Sequence, residues 1–73
     1  MKATLEFNLP EERHSFRKAS QAEDVFIILS IFDNKLREWA KHGHSFNTAD
    51  EAVIEIRKYL HDCLREDDID IYE

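Results

Sequence analysis

The chain opens on a two-residue alternation. Ala3, Leu5, Phe7 and Leu9 fall on one side, and Lys2, Thr4, Glu6 and Asn8 on the other. Successive side chains of a strand point to opposite faces, so this period predicts a half-buried N-terminal β-strand. Pro10 stops it. Proline suits the first position of a helix, and Glu11 and Glu12 suit the positive end of the helix dipole. The pattern predicts a short helix from Pro10 to about Ala19, with Phe16 and Ala19 facing inward.

Ser20-Gln21-Ala22-Glu23 has the form of a capping box, in which the serine accepts from the backbone three residues on and the glutamate reaches back. It predicts a break and a second helix over roughly 21–42. On that helix Val25, Ile28, Leu29, Phe32, Leu36, Trp39 and Ala40 fall within a sector of about 120°. Lys41, His42 and Gly43 give the end its cations and its left-handed stop. Thr48-Ala49-Asp50-Glu51 is a second capping box, and a third helix follows from about Ala49 to Glu66, striped by Ala49, Val53, Ile56, Leu60, Cys63 and Leu64. Asp67-Asp68 ends it. Ile69-Asp70-Ile71-Tyr72 alternates again and suggests a short C-terminal strand, against the poor strand propensity of aspartate.

The expected architecture is therefore α+β and mostly helical. An N-terminal β-strand, a short helix, a long antiparallel helical hairpin and a short closing strand form one compact domain over residues 1–73. The first strand needs a partner for its ladder groups, either the tail or the same strand of a second copy.

Size sharpens that need. A chain of 73 residues buries only about 60% of the surface its unfolded form exposes. Below roughly 80 residues one core rarely supplies more than a few kcal/mol. Cys63 is the one cysteine, so no internal disulfide helps, and a reducing, cytoplasmic setting is expected. The alternating start does not read as a signal peptide, and the apolar run Val25 to Leu29 is too short to cross a bilayer. The formal charge of −6 argues against direct nucleic-acid binding and against an anionic membrane surface. It leaves room for a basic protein partner.

More apolar residues are present than one helix face can bury. Phe26, Ile27 and Ile31 lie outside the main sector of the second helix, and Ile54 and Tyr59 outside that of the third. Either the first helix and strand cover them, or another chain does, with a homodimer the commonest form. A second candidate surface is the acidic end, where Asp62, Glu66, Asp67, Asp68, Asp70 and Glu73 are relieved only by Arg65. A solvated helix end explains this crowding, and so does mimicry of nucleic-acid phosphates. Arg13, Arg17 and Lys18 make a small basic strip that reads as charge balance.

Chemistry finds little to work with. His14, His42, His44, His61 and Cys63 lack the ligand spacing of a zinc site. His61 and Cys63 stand two apart on a helix and do not face each other, and Cys63 belongs to the apolar stripe. Glu11-Glu12 and Asp67-Asp68 are explained by capping and solvation. The lone glycine, Gly43, makes no phosphate-cradling loop. No catalytic residue, cofactor or metal is expected.

Leu5-Glu6-Phe7-Asn8-Leu9-Pro10-Glu11-Glu12 resembles the opening of a family of small bacteriophage proteins in which a short strand leads into helices. Leu36-Arg37-Glu38-Trp39-Ala40-Lys41 resembles the LRxxxK stretch of that family's second helix, and Ile56-Arg57-Lys58-Tyr59-Leu60-His61 its IRxxLH stretch. The matching positions are structural ones, so no catalytic or binding residue comes with them. The resemblance implies a phage origin and an accessory role in a host bacterial cytoplasm, where small acidic phage proteins bind and modulate or inhibit one host protein, including those of defence systems. The expectation is thus a binding protein, acting through Phe26, Ile27, Ile31 and Tyr59 or through the acidic end. Two alternatives stand beside it: a nucleic-acid mimic that blocks a DNA- or RNA-processing enzyme, and a small structural or assembly protein of the phage.

Overall fold

The computed structural model describes residues 1–72 and contains two helices, α1 at Arg13–His42 and α2 at Ala49–Glu66. Glu73, counted above with the acidic end, lies outside the described residues. The helices run antiparallel as a hairpin, and no helix is long and apolar enough to cross a membrane among the described residues.

Two expectations are corrected. There is no β-strand among the described residues, so the architecture is an all-helical hairpin rather than α+β. Strand pairing is a non-local event, and neither end finds a partner. Residues 1–8 are irregular, and Phe7 instead turns its ring edge-on to Phe16 at 5.7 Å. The tail is taken up by the closure of α2. Asp68 adopts a left-handed φ of 54°, its N–H donates to the Arg65 carbonyl at 3.1 Å, and the Ile69 N–H donates to the Leu64 carbonyl at 2.9 Å. This paired closure satisfies two orphan carbonyls and brings Ile69 back onto Leu64.

The second correction is at Ser20. The two helices expected on either side of it are one helix of 30 residues. A capping serine needs non-helical backbone; here the Ser20 hydroxyl donates to the Arg17 carbonyl at 3.0 Å, the back-bond a serine makes inside a helix. Strong helix formers on both sides, Arg17, Lys18, Ala19 and Gln21, Ala22, favour continuity over a break. The helix begins at Arg13 because residues 9–12 are spent in a turn, with Glu12 N–H donating to the Asn8 carbonyl at 2.8 Å and the Glu12 carboxylate accepting from Asn8 N–H at 3.2 Å.

The rest of the hairpin follows its local signals. Gly43 stops α1 at φ 90°, where its N–H still reaches the Trp39 carbonyl. Thr48 caps α2 by accepting from Glu51 N–H at 3.0 Å, while the Glu51 carboxylate accepts from Asn47 N–H, also at 3.0 Å. Between the helices Tyr59 stacks on Phe32 at 6.3 Å and meets Trp39 edge-on at 5.9 Å, and Phe46 from the connector closes on Trp39 at 5.1 Å.

Because α1 is continuous, no third helix folds back to cover the pair. At 1.5 Å per residue α1 is about 45 Å long and α2 about 27 Å, so the first turns of α1 overhang. The molecule measures 50 × 29 × 17 Å with a radius of gyration of 16.5 Å, against about 11 Å for a compact chain of this length. Only Ile28, at 3% exposure, and Leu64, at 5%, are fully withdrawn apolar residues among those described.

Candidate interaction surfaces

The residues of the two surfaces expected from the sequence do not form two continuous patches, because α2 divides each set. A helix turns about 100° per residue, so Phe26 lies about 140° from Ile31, while Ile27 and Ile31 lie within about 40° of each other. All three are exposed. Tyr59 belongs with neither as a free side chain, since it is half-buried between the helices. Its hydroxyl pKa is raised above the usual phenol value, first by burial and then by the nearby Cys63 thiol and the carboxylates of Glu38 and Glu66.

Those carboxylates locate one flank. Glu38 and Ile31 share a side of α1, seven residues apart, and the helical spacing of Tyr59 and Glu66, also seven apart, sets Glu66 on the Tyr59 side of α2. This flank therefore carries Ile27 and Ile31, with Asp24 and Glu38 on their own helix and Asp62 and Glu66 across the seam. Asp62 is partly answered by Arg65 at 3.2 Å. Lys35 is turned inward, its ammonium lying 5.3 Å from the Trp39 ring centre and 5.9 Å from that of Tyr59.

Phe26 lies on the opposite flank. There the tail straps the hairpin: Ile69, Asp70 and Ile71 share a cleft of about 350 Å³ with Lys18, Ala22, Val25 and Phe26. The Gln21 amide donates to the Asp68 carbonyl at 3.2 Å. Tyr72 stacks on His61 at 6.1 Å, and Asp70 accepts from the Tyr72 N–H at 2.9 Å. The acidic end is thus split as well. Asp62 and Glu66 belong to α2, whereas Asp67 and Asp68 form the turn after it and Asp70 borders the cleft that Lys18 also lines.

The sequence reading missed two residues of the second flank. Leu29 and Val53 were assigned to the inward stripes, yet they are 51% and 65% exposed. Their signal is a narrower repeat inside the broad one. Ala22, Phe26, Leu29, Asp33, Leu36 and Ala40 recur at alternating steps of four and three on α1, as do Val53, Arg57, Leu60 and Leu64 on α2.

The chemical candidates do not converge. His44 accepts from the Phe46 N–H at its Nδ1, 3.2 Å away, and stacks on that ring, which gives the histidine loop a structural task. His61 faces Tyr72, while Cys63 faces the Tyr59 hydroxyl. No group of three His, Cys, Asp or Glu side chains is arranged to hold a metal ion among the described residues. Compared with models of protein families, with curated proteins and with solved structures, the chain matches none.

Proposed function

We propose that this chain is a small acidic binding protein that modulates another protein by occupying its surface, and that the flank built from Ile27, Ile31, Glu38, Asp62 and Glu66 is the surface it uses. One observation carries the reading: two aliphatic anchors, Ile27 and Ile31, stand exposed one turn apart on α1, on the side of that helix to which the spacing also assigns Asp24 and Glu38. Apolar anchors supply affinity when a partner desolvates them, and a charged rim steers encounter and selects the partner's sign. The fitting partner presents a shallow apolar pocket bordered by lysine or arginine. The resemblance of residues 5–12 and of the two helical stretches to small phage proteins points to a host bacterial protein as its owner.

The test is affinity retention from bacterial lysate on immobilised wild-type chain, beside Ile31→Asp and Glu66→Lys. A partner held one-to-one by the wild type should be lost with Ile31→Asp and weakened with Glu66→Lys. A partner held equally by all three overturns the assignment of the flank, and retention of no partner overturns the reading itself. A partner indifferent to Ile31→Asp but released by modest salt would move the function to phosphate mimicry, because charge contacts alone are that sensitive to screening.

A further inference from the structure

The second flank has a different use. We infer that Phe26, Leu29, Leu36, Val53 and Leu60 form a self-association face, and that its occupant is a second copy of this chain, giving a four-helix bundle from two hairpins.

The area supports this. A folded monomer of 8.7 kDa exposes about 4,700 Å², whereas this chain exposes 6391 Å². Leaving the eight irregular residues at the N-terminus unburied accounts for about 800 Å² of the difference. Part of the remainder belongs to the overhanging first turns of α1, exposed throughout residues 13–20, and the rest lies along the faces of the hairpin, where a stable interface withdraws about 800 Å² from each partner. The exposed apolar positions on this face are the ones a neighbour would cover: Phe26 is 72% exposed, and Leu29 and Val53 follow it along the two helices.

The spacing selects helices as the neighbour. Steps of four and three on both α1 and α2 make a seam of the kind that packs helix against helix in bundles. The tail borders one end of the face, where Ile69 and Ile71 share a cleft with Val25 and Phe26, and Leu29 and Val53 stay open further along it.

Charge complementarity selects a copy. Each stripe is interrupted once, by Asp33 on α1 and by Arg57 on α2. Among the described residues Asp33 has no ionic partner, and Arg57 makes only a long 3.5 Å contact to the Tyr72 hydroxyl. A two-fold interface uses the same patch twice, so one acid and one base on it can answer each other reciprocally. A chain of formal charge −6 also needs a locally neutral patch to meet its own kind, and this face supplies it.

The inference goes beyond the binding reading and does not depend on it: the flank with Ile31 stays outside the pair. The experiment is solution mass by light scattering on the purified full chain at about 100 µM, where even a micromolar dimer is populated. The wild type should weigh twice 8.7 kDa. Leu29→Asp and Val53→Asp should each give a folded monomer, because both side chains are open in the hairpin, while Ile31→Asp should remain a dimer. Asp33→Arg should weaken the dimer at least tenfold, and Asp33→Arg combined with Arg57→Asp should restore it. A monomeric wild type overturns the inference, whatever else then binds this face. So does a dimer that survives both Leu29→Asp and Val53→Asp, or one that Ile31→Asp disrupts. Helical circular dichroism separates a monomer from an unfolded variant; if Leu29→Asp unfolds, Val53→Asp and the charge exchange decide. Loss of the lysate partner leaves the mass untouched, so the two readings fail separately.

Discussion

Leu64 should be among the most costly side chains to shorten. It is 5% exposed, and its carbonyl accepts the Ile69 N–H when the tail folds back. Leu64→Ala removes three carbons, worth about 2.4 kcal/mol at about 0.8 kcal/mol per buried methylene. The gap left behind adds to this, and measured leucine truncations in cores span about 2–5 kcal/mol. A loss of about 3 kcal/mol is expected. A chain of 73 residues has a total stability of only about 4–11 kcal/mol, so the variant should keep its helices in water and lose them at much lower urea. The assay is urea unfolding followed by helical circular dichroism, at one protein concentration for all variants. Ile54→Ala is the control. Ile54 is exposed on the outer side of α2, and its truncation should stay within about 0.5 kcal/mol. If Leu64→Ala falls below about 1 kcal/mol, or equals Ile54→Ala, the hairpin has no cooperative core centred on Ile28 and Leu64, and the packing argument fails.

Asp68→Gly should raise stability by about 1 kcal/mol, because it removes a left-handed φ of 54° from a residue with a Cβ and one negative charge from the negative end of α2; the melting temperature should climb by roughly 4–8 °C, and a fall would show that the Asp68 side chain holds the turn by itself. Tyr59 sets an alkaline limit. Its folded pKa is raised, so the fold favours the neutral phenol; that contribution is complete below the unfolded value of about 10 and is lost as pH rises through the higher folded value. Unfolding free energies measured across that range should decline in the wild type more than in Tyr59→Phe, and equal slopes would refute the assignment.

α2 was legible to the residue because its signals are local and agree. Thr48 and Glu51 cap it, one apolar period runs its length, and Asp67-Asp68 ends it. The strand was not legible, since the alternation of residues 2–9 reports only that one side is apolar, and a ladder needs a partner that no window of sequence contains. Ser20-Gln21-Ala22-Glu23 misled for the opposite reason: its letters fit a cap, but helix formers flank it without a stop signal. That single error explains the site as well. With a separate first helix, Phe26, Leu29 and Val53 would have had a cover; with α1 continuous they have none. The division between Phe26 and the Ile27–Ile31 pair was present in their spacing, and became meaningful once α2 fixed which sector faces inward.

The overhanging α1 has a consequence for how this protein measures. A radius of gyration of 16.5 Å is that of a globular chain of about 200 residues, so a lone hairpin on a sizing column or in a scattering curve passes for an assembly of several chains. Stacking a second hairpin face to face moves each centre of mass by only about 5 Å, half the usual distance between packed helices, and the radius rises merely to about 17 Å. Size and mass are therefore nearly uncoupled in this molecule: at a fixed weight concentration pairing doubles the forward scattering while leaving the apparent dimensions almost where they were.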